Sequence, residues 1–258
     1  MSKKDFFIGW QSEMPSSSKR LIRILLFTCG IGFLALAFTL VKFSKPFNDH
    51  RFELGMLKEF TGTFYAHPFP VLVLDEGQSP IAGSNEALLV GYGKNGAMTF
   101  VRPVEQEKGD LQGKRLKISG TLIYGDGKVL IELSQKEKSI LSIEGEQQDA
   151  IVRDLGQARI NGEILDPKCW FGVMKPAEGK VHKSCAIRCI SGGIPPVVIE
   201  RTDAGNEYYL LLGANGESIN EQVLPFVAEQ ITAEGTIYES NGWKYIQAQV
   251  EDIEYLTR

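Results

Sequence analysis

Four residues of the metal-binding types lie close together in the second half of the chain. They are Cys169, His182, Cys185 and Cys189, with the spacing C-x12-H-x2-C-x3-C. The segment 166–196 thus holds three of the four cysteines and one of the three histidines. Three thiolates and one imidazole form a ligand set typical of tetrahedral zinc. Because these donors also bind copper, we expect a metal or redox site that takes zinc or copper.

The spacing of these residues predicts how they are presented. His182, Cys185 and Cys189 follow each other as i, i+3 and i+7, which places them on one face if 182–190 is a helix. The glycines at 192–193 are expected to end that helix, and the prolines at 195–196 require an extended exit. Cys169 must then come from the loop that precedes the helix.

Two other interpretations of the cysteines remain open. In an oxidising compartment Cys169 can form a disulfide with Cys185 or Cys189, which would staple the segment and leave one thiol unpaired. Because any such disulfide leaves one of the three cysteines unpaired, we favour the metal site over the disulfide. An enzyme that uses Cys185 or Cys189 as a nucleophile would show a single rapidly alkylated thiol. The sequence contains no recognisable nucleophile–base–acid arrangement, so we assign no catalytic residue and do not favour an enzyme.

The N-terminal region has the pattern of a membrane anchor. No charged residue occurs from 24 to 41, a run long enough to cross a bilayer core as a helix. We predict a cytoplasmic tail at 1–19, a single transmembrane helix at 20–43 and a junction at 44–58. No small-x-small cleavage pattern follows the helix, which favours an uncleaved anchor over a signal peptide. Lys19, Arg20 and Arg23 precede the uncharged run, which favours a cytoplasmic N-terminus, an inner-membrane location and a periplasmic body.

The charge distribution limits the partners of the body. The net charge of the chain is −4, and residues 1–23 contribute +3, so the remainder carries −7. An acidic body is a poor polyanion binder, and we expect no nucleic-acid partner. The segment 166–196 is locally basic, which can steer an acidic partner. A membrane or envelope protein is the partner class that we expect.

The body has the pattern of two small β domains. Short apolar runs are separated by Gly, Pro, Asn and Asp at intervals of about 8–12 residues, as in small all-β modules. We predict a first domain at 59–144, a linker at 145–157 and a second domain at 158–257. The G-x-G-x-x-G sequence at 91–96 precedes a strand-like run, so we interpret it as a turn and not as a nucleotide site. The predicted strands of the first domain are 59–65, 71–74, 87–92, 98–103, 115–124 and 128–133.

The second domain repeats the order of the first. Residues 120–127 align without gaps on 235–242, and each segment ends in a dipeptide that favours a two-residue hairpin turn. A helix is expected at 217–224, before the last hairpin. Five short strands with a helix before the last pair resemble the OB fold, a small Greek-key barrel. The fold class that we predict is therefore mainly β, with an N-terminal transmembrane helix and two OB-like barrels.

The two copies differ in length at one place. Gly62 and Gly93 are 31 positions apart in the first copy, whereas Gly162 and Gly213 are 51 positions apart in the second. The segment 166–196 is therefore predicted to be an insertion between the first two strands of the second barrel. Loops at this position bind ligands in OB-like barrels.

One motif connects the chain to other proteins. The pattern D-x-K-C…H-x-x-C-A-x-x-C…G-G-x-P-P, preceded by one N-terminal span, resembles a group of uncharacterised membrane-anchored bacterial proteins with OB-like domains. This resemblance implies no established activity. The favoured function is that of a membrane-anchored accessory protein with an extracytoplasmic Cys/His metal or redox site, serving metal handling, assembly or electron transfer. The alternative is a non-catalytic binding or scaffold module of an envelope complex with a disulfide-stapled loop.

Overall fold

The computed structural model describes residues 14–44, 50–145 and 147–256. Its first unit contains helix α1 (Ser16–Phe43), which has 28 residues and a mean hydropathy of 2.5 over its most apolar window. This length and composition fit a membrane anchor or a signal sequence. The predicted tail lies outside the described residues as far as residue 13, and the predicted junction does so at 45–49.

The second unit is the β-rich body, which begins in the described chain at His50. The strands of its first half are β1 (Arg51–Phe52), β2 (Lys58–Tyr65), β3 (Val71–Leu74), β4 (Glu86–Gly91), β5 (Arg115–Gly125), β6 (Lys128–Leu133) and β7 (Ile140–Glu144). Those of its second half are β8 (Val152–Leu165), β9 (Val197–Thr202), β10 (Gly205–Gly213), β11 (Gln230–Ser240) and β12 (Trp243–Tyr255). Two α-helices accompany them, α2 (Met98–Lys108) and α3 (Lys183–Ser191).

Five strands in each half close into a barrel with the same connectivity. The first barrel runs β2-β3-β4-β6-β5 and returns to β2, and the second runs β8-β9-β10-β12-β11 and returns to β8. In both, the third and fifth strands are parallel and the other neighbours are antiparallel. This is the strand order of the OB barrel. The predicted fold class, mainly β with two OB-like barrels after an apolar helix, is confirmed.

The final hairpin of each barrel turns where the sequence predicts. Asp126 and Gly127 have φ values of 46° and 71°, and Asn241 and Gly242 have values of 47° and 70°. Positive φ at both central residues matches the right-handed twist of the flanking strands. These dipeptides therefore fix the register of the last two strands in each copy.

Two local predictions are wrong. The segment 98–103, predicted as a strand, belongs to α2, whose buried residues Phe100, Val101 and Val104 follow helical spacing. The aromatic and β-branched residues there favoured a strand, but this one-sided burial favours a helix. Conversely, the helix expected at 217–224 is a series of turns followed by a 3-10 helix at Leu224–Phe226. In this segment the Asn220 amide donates to the carbonyl oxygens of Ile190 and Ile194, which holds the segment against the insertion.

The first barrel is apolar on both faces of several strands because the two barrels pack together. In β4, Leu89 belongs to the core of the first barrel, whereas Leu88 and Val90 belong to a cluster that includes the core of the second. In β6, Ile131 belongs to the core of the first barrel and Leu130 to the cluster that includes the core of the second. Alternate residues of a strand point to opposite faces. Runs of consecutive apolar residues in these strands, without polar residues in alternation, therefore lie where the two barrels meet.

Glycines at equivalent positions allow the first two strands of each barrel to approach closely. A methyl group at Gly62 would lie 2.2 Å from the Val73 carbonyl oxygen, and one at Gly162 would lie 2.5 Å from the Ile199 carbonyl oxygen. Both distances are far below van der Waals contact. Both copies therefore need glycine at this position, because the neighbouring strand leaves no room for a side chain.

We therefore expect Gly162→Ala to destabilise the body by about 1–3 kcal/mol, since the added methyl group forces strands β8 and β9 apart. Urea unfolding followed by tryptophan fluorescence measures this change. Glu234→Ala, in an ion pair whose side chains are both about 60% exposed, is the control and should change stability by less than about 1 kcal/mol. An equal effect of both substitutions would contradict the steric account.

Candidate metal centre

The cysteine-rich segment joins β8 to β9, as predicted. It contains a short helical turn at Cys169–Val173, interrupted by the non-helical backbone of Gly172, and then helix α3, which begins one residue after His182. Cys185 and Cys189 lie one turn apart on α3. The order of Cys169 before a helix that carries Cys185 and Cys189 is as predicted. His182, predicted on the same helix face, is instead the N-cap of α3, and its ligand atom lies close to those of Asp166 and Cys169. Cys169 itself lies in the helical turn and not in a loop. The limits of the two domains and of the linker stay predictions, with β8 beginning at Val152.

The structure brings the three thiols of the segment together. The sulfur atoms of Cys169, Cys185 and Cys189 all lie within 4.8 Å of one another, and Cys169 Sγ is 3.9 Å from Cys185 Sγ. Cys169 and Cys189 are buried, whereas Cys185 is partly exposed. All three are free thiols in this structure, and Cys29 is a free, exposed thiol of α1.

His182 approaches this cluster through Cys169 and an acidic residue. Ligand atoms of Asp166, Cys169 and His182 lie within 4.8 Å of one another, so that two groups of three share Cys169. His182 Nε2 is 3.3 Å from Asp166 Oδ2, and both side chains are fully buried. The other carboxylate oxygen, Oδ1, accepts the backbone N–H of Cys169 at 2.8 Å. Asp166 therefore orients both the histidine ring and the turn that carries the first cysteine.

The residues fit a bound transition metal on two independent grounds. In a tetrahedral site with Zn–S bonds of about 2.3 Å, two sulfurs lie about 3.8 Å apart, close to the 3.9 Å between Cys169 and Cys185. His182 Nδ1 is buried and has no hydrogen-bond partner among the described residues. A metal-ligating histidine usually donates its second ring N–H to a carboxylate. With Nε2 held by Asp166, Nδ1 is the atom left to bind a metal.

The thiols of Cys169 and Cys189 differ in acidity because a hydrogen bond joins them. The thiol of Cys169 donates a hydrogen bond to Cys189, which raises the pKa of Cys169, and burial and the Asp166 charge raise it further. The same hydrogen bond lowers the pKa of Cys189, assisted by the charges of Lys94 and Lys168 against the effect of burial. Cys189 is thus the thiol that ionises first within this pair, and Cys169 retains its proton.

A lysine of the first barrel completes the rim of the cluster. Lys94 lies in the loop after β4, and its Nζ is 2.9 Å from Cys185 Sγ and 3.9 Å from Cys189 Sγ. The hydrogen bond to Cys185 is the main cause of the raised pKa of Lys94. The ammonium group therefore places a positive charge beside two of the three sulfurs.

A second lysine connects the cysteine turn to the same loop. Lys168 precedes Cys169, and its Nζ donates to the carbonyl oxygens of Gly91 and Gly93 at 2.7 and 2.6 Å. It also forms an ion pair with Glu132 of β6, and the two side chains are only 5% and 7% exposed. A buried ion pair with additional hydrogen bonds fixes geometry strongly. Lys168 therefore holds the insertion of the second barrel against the first barrel.

The far side of the cysteine turn is held by a buried histidine. His50 Nδ1 is 2.9 Å from the Trp170 carbonyl oxygen and therefore donates its hydrogen to it. His50 Nε2 lies 3.2 Å from Asp126 Oδ2 in the final hairpin of the first barrel. Asp126 in turn accepts the hydroxyl of Tyr208 at 2.6 Å. The sequence predicts that His50, in the junction, is an exposed histidine without partners. This prediction is wrong, because His50 is only 7% exposed and supports the backbone next to Cys169.

Sequence patterns identified the four candidate ligands but not the residues that position them. Lys94 lies in the G-x-G-x-x-G loop, which we interpreted only as a turn. Asp166 and Lys168 occur in the D-x-K-C pattern without an assigned role, and nothing in the sequence marks Glu132. The signal that was available is the close spacing of Asp166, Lys168 and Cys169, since two charged residues beside a predicted ligand are typical of an outer coordination shell.

Removal of one partner of the buried ion pair is expected to be costly. We expect Lys168→Met to destabilise the body by about 3–5 kcal/mol, because Glu132 would remain buried without its counter-charge. Urea unfolding measures the loss. The double variant Lys168→Met with Glu132→Gln should recover part of it, since no unpaired charge remains. As a control, Arg159→Met breaks an exposed ion pair and should cost no more than about 1 kcal/mol. Equal losses in Lys168→Met and Arg159→Met would contradict this role.

No protein-family model, curated protein or solved structure matches the chain. The function must therefore be inferred from the chemistry of the cluster and from the elements that position it.

Proposed function

We propose that this chain is a membrane-anchored accessory protein that binds a transition metal, zinc or copper, through Cys169, Cys185, Cys189 and His182. The observation that carries the proposal is the convergence of three sulfur atoms within 4.8 Å beside a buried histidine that has a free ring nitrogen. A set of three thiolates and one imidazole is typical of a structural zinc site. The same ligands accept copper, and in that case electron transfer is a further role.

The location that we propose is the inner membrane, with the N-terminus in the cytoplasm and the body in the periplasm. Helix α1 has the length and hydropathy of a membrane span. The basic residues Lys19, Arg20 and Arg23 precede its apolar part, in agreement with the positive-inside rule. A reporter enzyme fused after residue 258 tests this topology. Activity of a cytoplasmic reporter at this position would contradict it.

The proposal predicts a defined metal content. Full-length chain purified in detergent and loaded anaerobically with zinc should retain about one equivalent after desalting, as measured by elemental analysis. Cys169→Ser, Cys185→Ser and Cys189→Ser should each lose most of the metal, because a serine hydroxyl is a poor ligand for zinc. The matched control is Cys29→Ser, which removes the thiol on α1 and should retain the metal of the wild type. Wild-type chain that retains neither zinc nor copper would contradict the proposal.

The distance of 3.9 Å between Cys169 and Cys185 also favours a second candidate, the scaffold module with a disulfide-stapled loop. The two candidates differ in how the thiols are protected. In the Cys29→Ser background, a metal site predicts three thiols that are alkylated only after chelation. A staple predicts one free thiol in the denatured, unreduced chain and three after reduction. A count of three free thiols in a natively oxidised sample would exclude the staple.

Asp166 is expected to affect metal binding although it is not one of the proposed ligands. We expect Asp166→Asn to weaken zinc affinity about 10–100-fold, because the amide no longer fixes the histidine ring through a charged acceptor. Competition with a chromophoric chelator measures the affinity. Asp203→Asn, an exposed position in the turn between β9 and β10, is the control. Equal affinities of the Asp166 variant and wild type would argue against His182 as a ligand.

A further inference from the structure

Lys94 has an unusual environment for a lysine in an exposed loop. Its ammonium group has sulfur atoms as its hydrogen-bond partners, Cys185 at 2.9 Å and Cys189 at 3.9 Å. Lys94 belongs to the first barrel, whereas both cysteines belong to the insertion of the second. The contact therefore crosses the boundary between the two barrels.

The backbone of the loop that carries Lys94 is fixed at both ends. Lys168 donates to the carbonyl oxygens of Gly91 and Gly93, which precede Lys94. After it, the N–H of Gly96 donates to the carbonyl oxygen of Gly192 at 2.8 Å. The position of Lys94 therefore follows from hydrogen bonds of its neighbours and does not depend on its own flexible side chain.

Glycine is required where this loop meets the end of helix α3. A methyl group at Gly192 would lie 1.9 Å from the Lys94 carbonyl oxygen, and one at Gly96 would lie 2.1 Å from the Gly193 carbonyl oxygen. The backbones of the two barrels touch at this point, directly after the helix that carries Cys185 and Cys189. The paired glycines thus bring Lys94 within reach of the sulfurs.

The charge of the proposed site explains why a cation belongs there. Three thiolates, one neutral imidazole and a divalent metal ion sum to −1, and the nearby carboxylate of Asp166 adds another negative charge. Buried charge is unfavourable unless it is balanced. Lys168 is already balanced by Glu132. Lys94 is therefore the cation available to the sulfurs, and its N–H groups are donors suited to a metal-bound thiolate.

We propose that Lys94 is an outer-sphere positioning residue of the metal site, and that its ammonium group donates to the metal-bound sulfur of Cys185. This inference rests on the proposed function. It makes the metal site a joint property of both barrels: the second supplies the ligands, and the first supplies a positive charge that offsets part of their negative charge. Bound metal then strengthens the contact between the barrels through the same hydrogen bond.

The test compares zinc affinity in the full-length chain for wild type, Lys94→Met, Lys94→Arg and the control Lys108→Met. Lys108 is an exposed lysine at the end of α2. Lys94→Met should bind zinc about tenfold more weakly, the low end for an outer-shell substitution, because Lys94 is exposed to solvent. Lys94→Arg retains the charge and the donors and should restore most of the affinity, and Lys108→Met should match wild type.

A spectroscopic measurement separates this role from mere support of the loop. In the cobalt-substituted chain, loss of the hydrogen bond makes the Cys185 sulfur a stronger electron donor, so the sulfur-to-cobalt charge-transfer band of Lys94→Met should move to lower energy. Gly192→Ala, which displaces the loop, should cause a similar affinity loss, and Lys94→Met should add little to it.

These measurements test the role of Lys94 and the proposed metal binding separately. Affinity of Lys94→Met within twofold of wild type would overturn the inference, and so would a loss of affinity without a band shift or without rescue by arginine. Wild-type chain that binds neither zinc nor cobalt would instead overturn the proposed function, on which the inference rests.

Discussion

The buried ion pair between Lys168 and Glu132 is the interaction on which the arrangement of the site depends. It joins the residue next to Cys169 with a strand of the other barrel, and the remaining hydrogens of the ammonium group bind two carbonyl oxygens of the loop that carries Lys94. Desolvation of both charges is compensated only because these hydrogen bonds are made together. One side chain thus fixes the cysteine turn and the loop that faces the thiols.

The site is consequently built between two barrels rather than within one. The insertion between β8 and β9 supplies the sulfurs and the histidine, and the first barrel holds the insertion from two sides. On one side are Lys94 and its loop, and on the other is His50, whose ring contacts the Trp170 carbonyl oxygen. The apolar outer face of the first barrel completes the support, because it shares a hydrophobic cluster with the second. This explains why the first copy, which contains none of the proposed ligands, contributes to the geometry of the site.

The sequence predicted the barrels, the insertion and the helix of α3 because each depends on local signals. The dipeptides Asp126-Gly127 and Asn241-Gly242 define hairpins by their backbone preference, and the length difference between the copies locates the insertion.

The sequence predicts a strand where helix α2 lies, because the structure of this segment is decided by the burial of one face, which is a tertiary effect. Lys94 and Glu132 could not be predicted, because their partners are more than 30 residues away and no spacing rule connects them. Asp166 could have been included, since a carboxylate three residues before a ligand is a local signal.

The chemistry that we propose from these contacts is that of a metal site whose negative charge is partly offset by Lys94, in a chain whose N-terminal apolar helix fits a membrane anchor or a signal sequence. In this proposal three sulfurs and one imidazole nitrogen bind one ion. X-ray absorption at the zinc edge of the loaded full-length chain measures this directly. We expect three sulfur ligands at about 2.3 Å and one nitrogen at about 2.0–2.1 Å. A shell of nitrogen and oxygen alone, or one with fewer than three sulfurs, would contradict it.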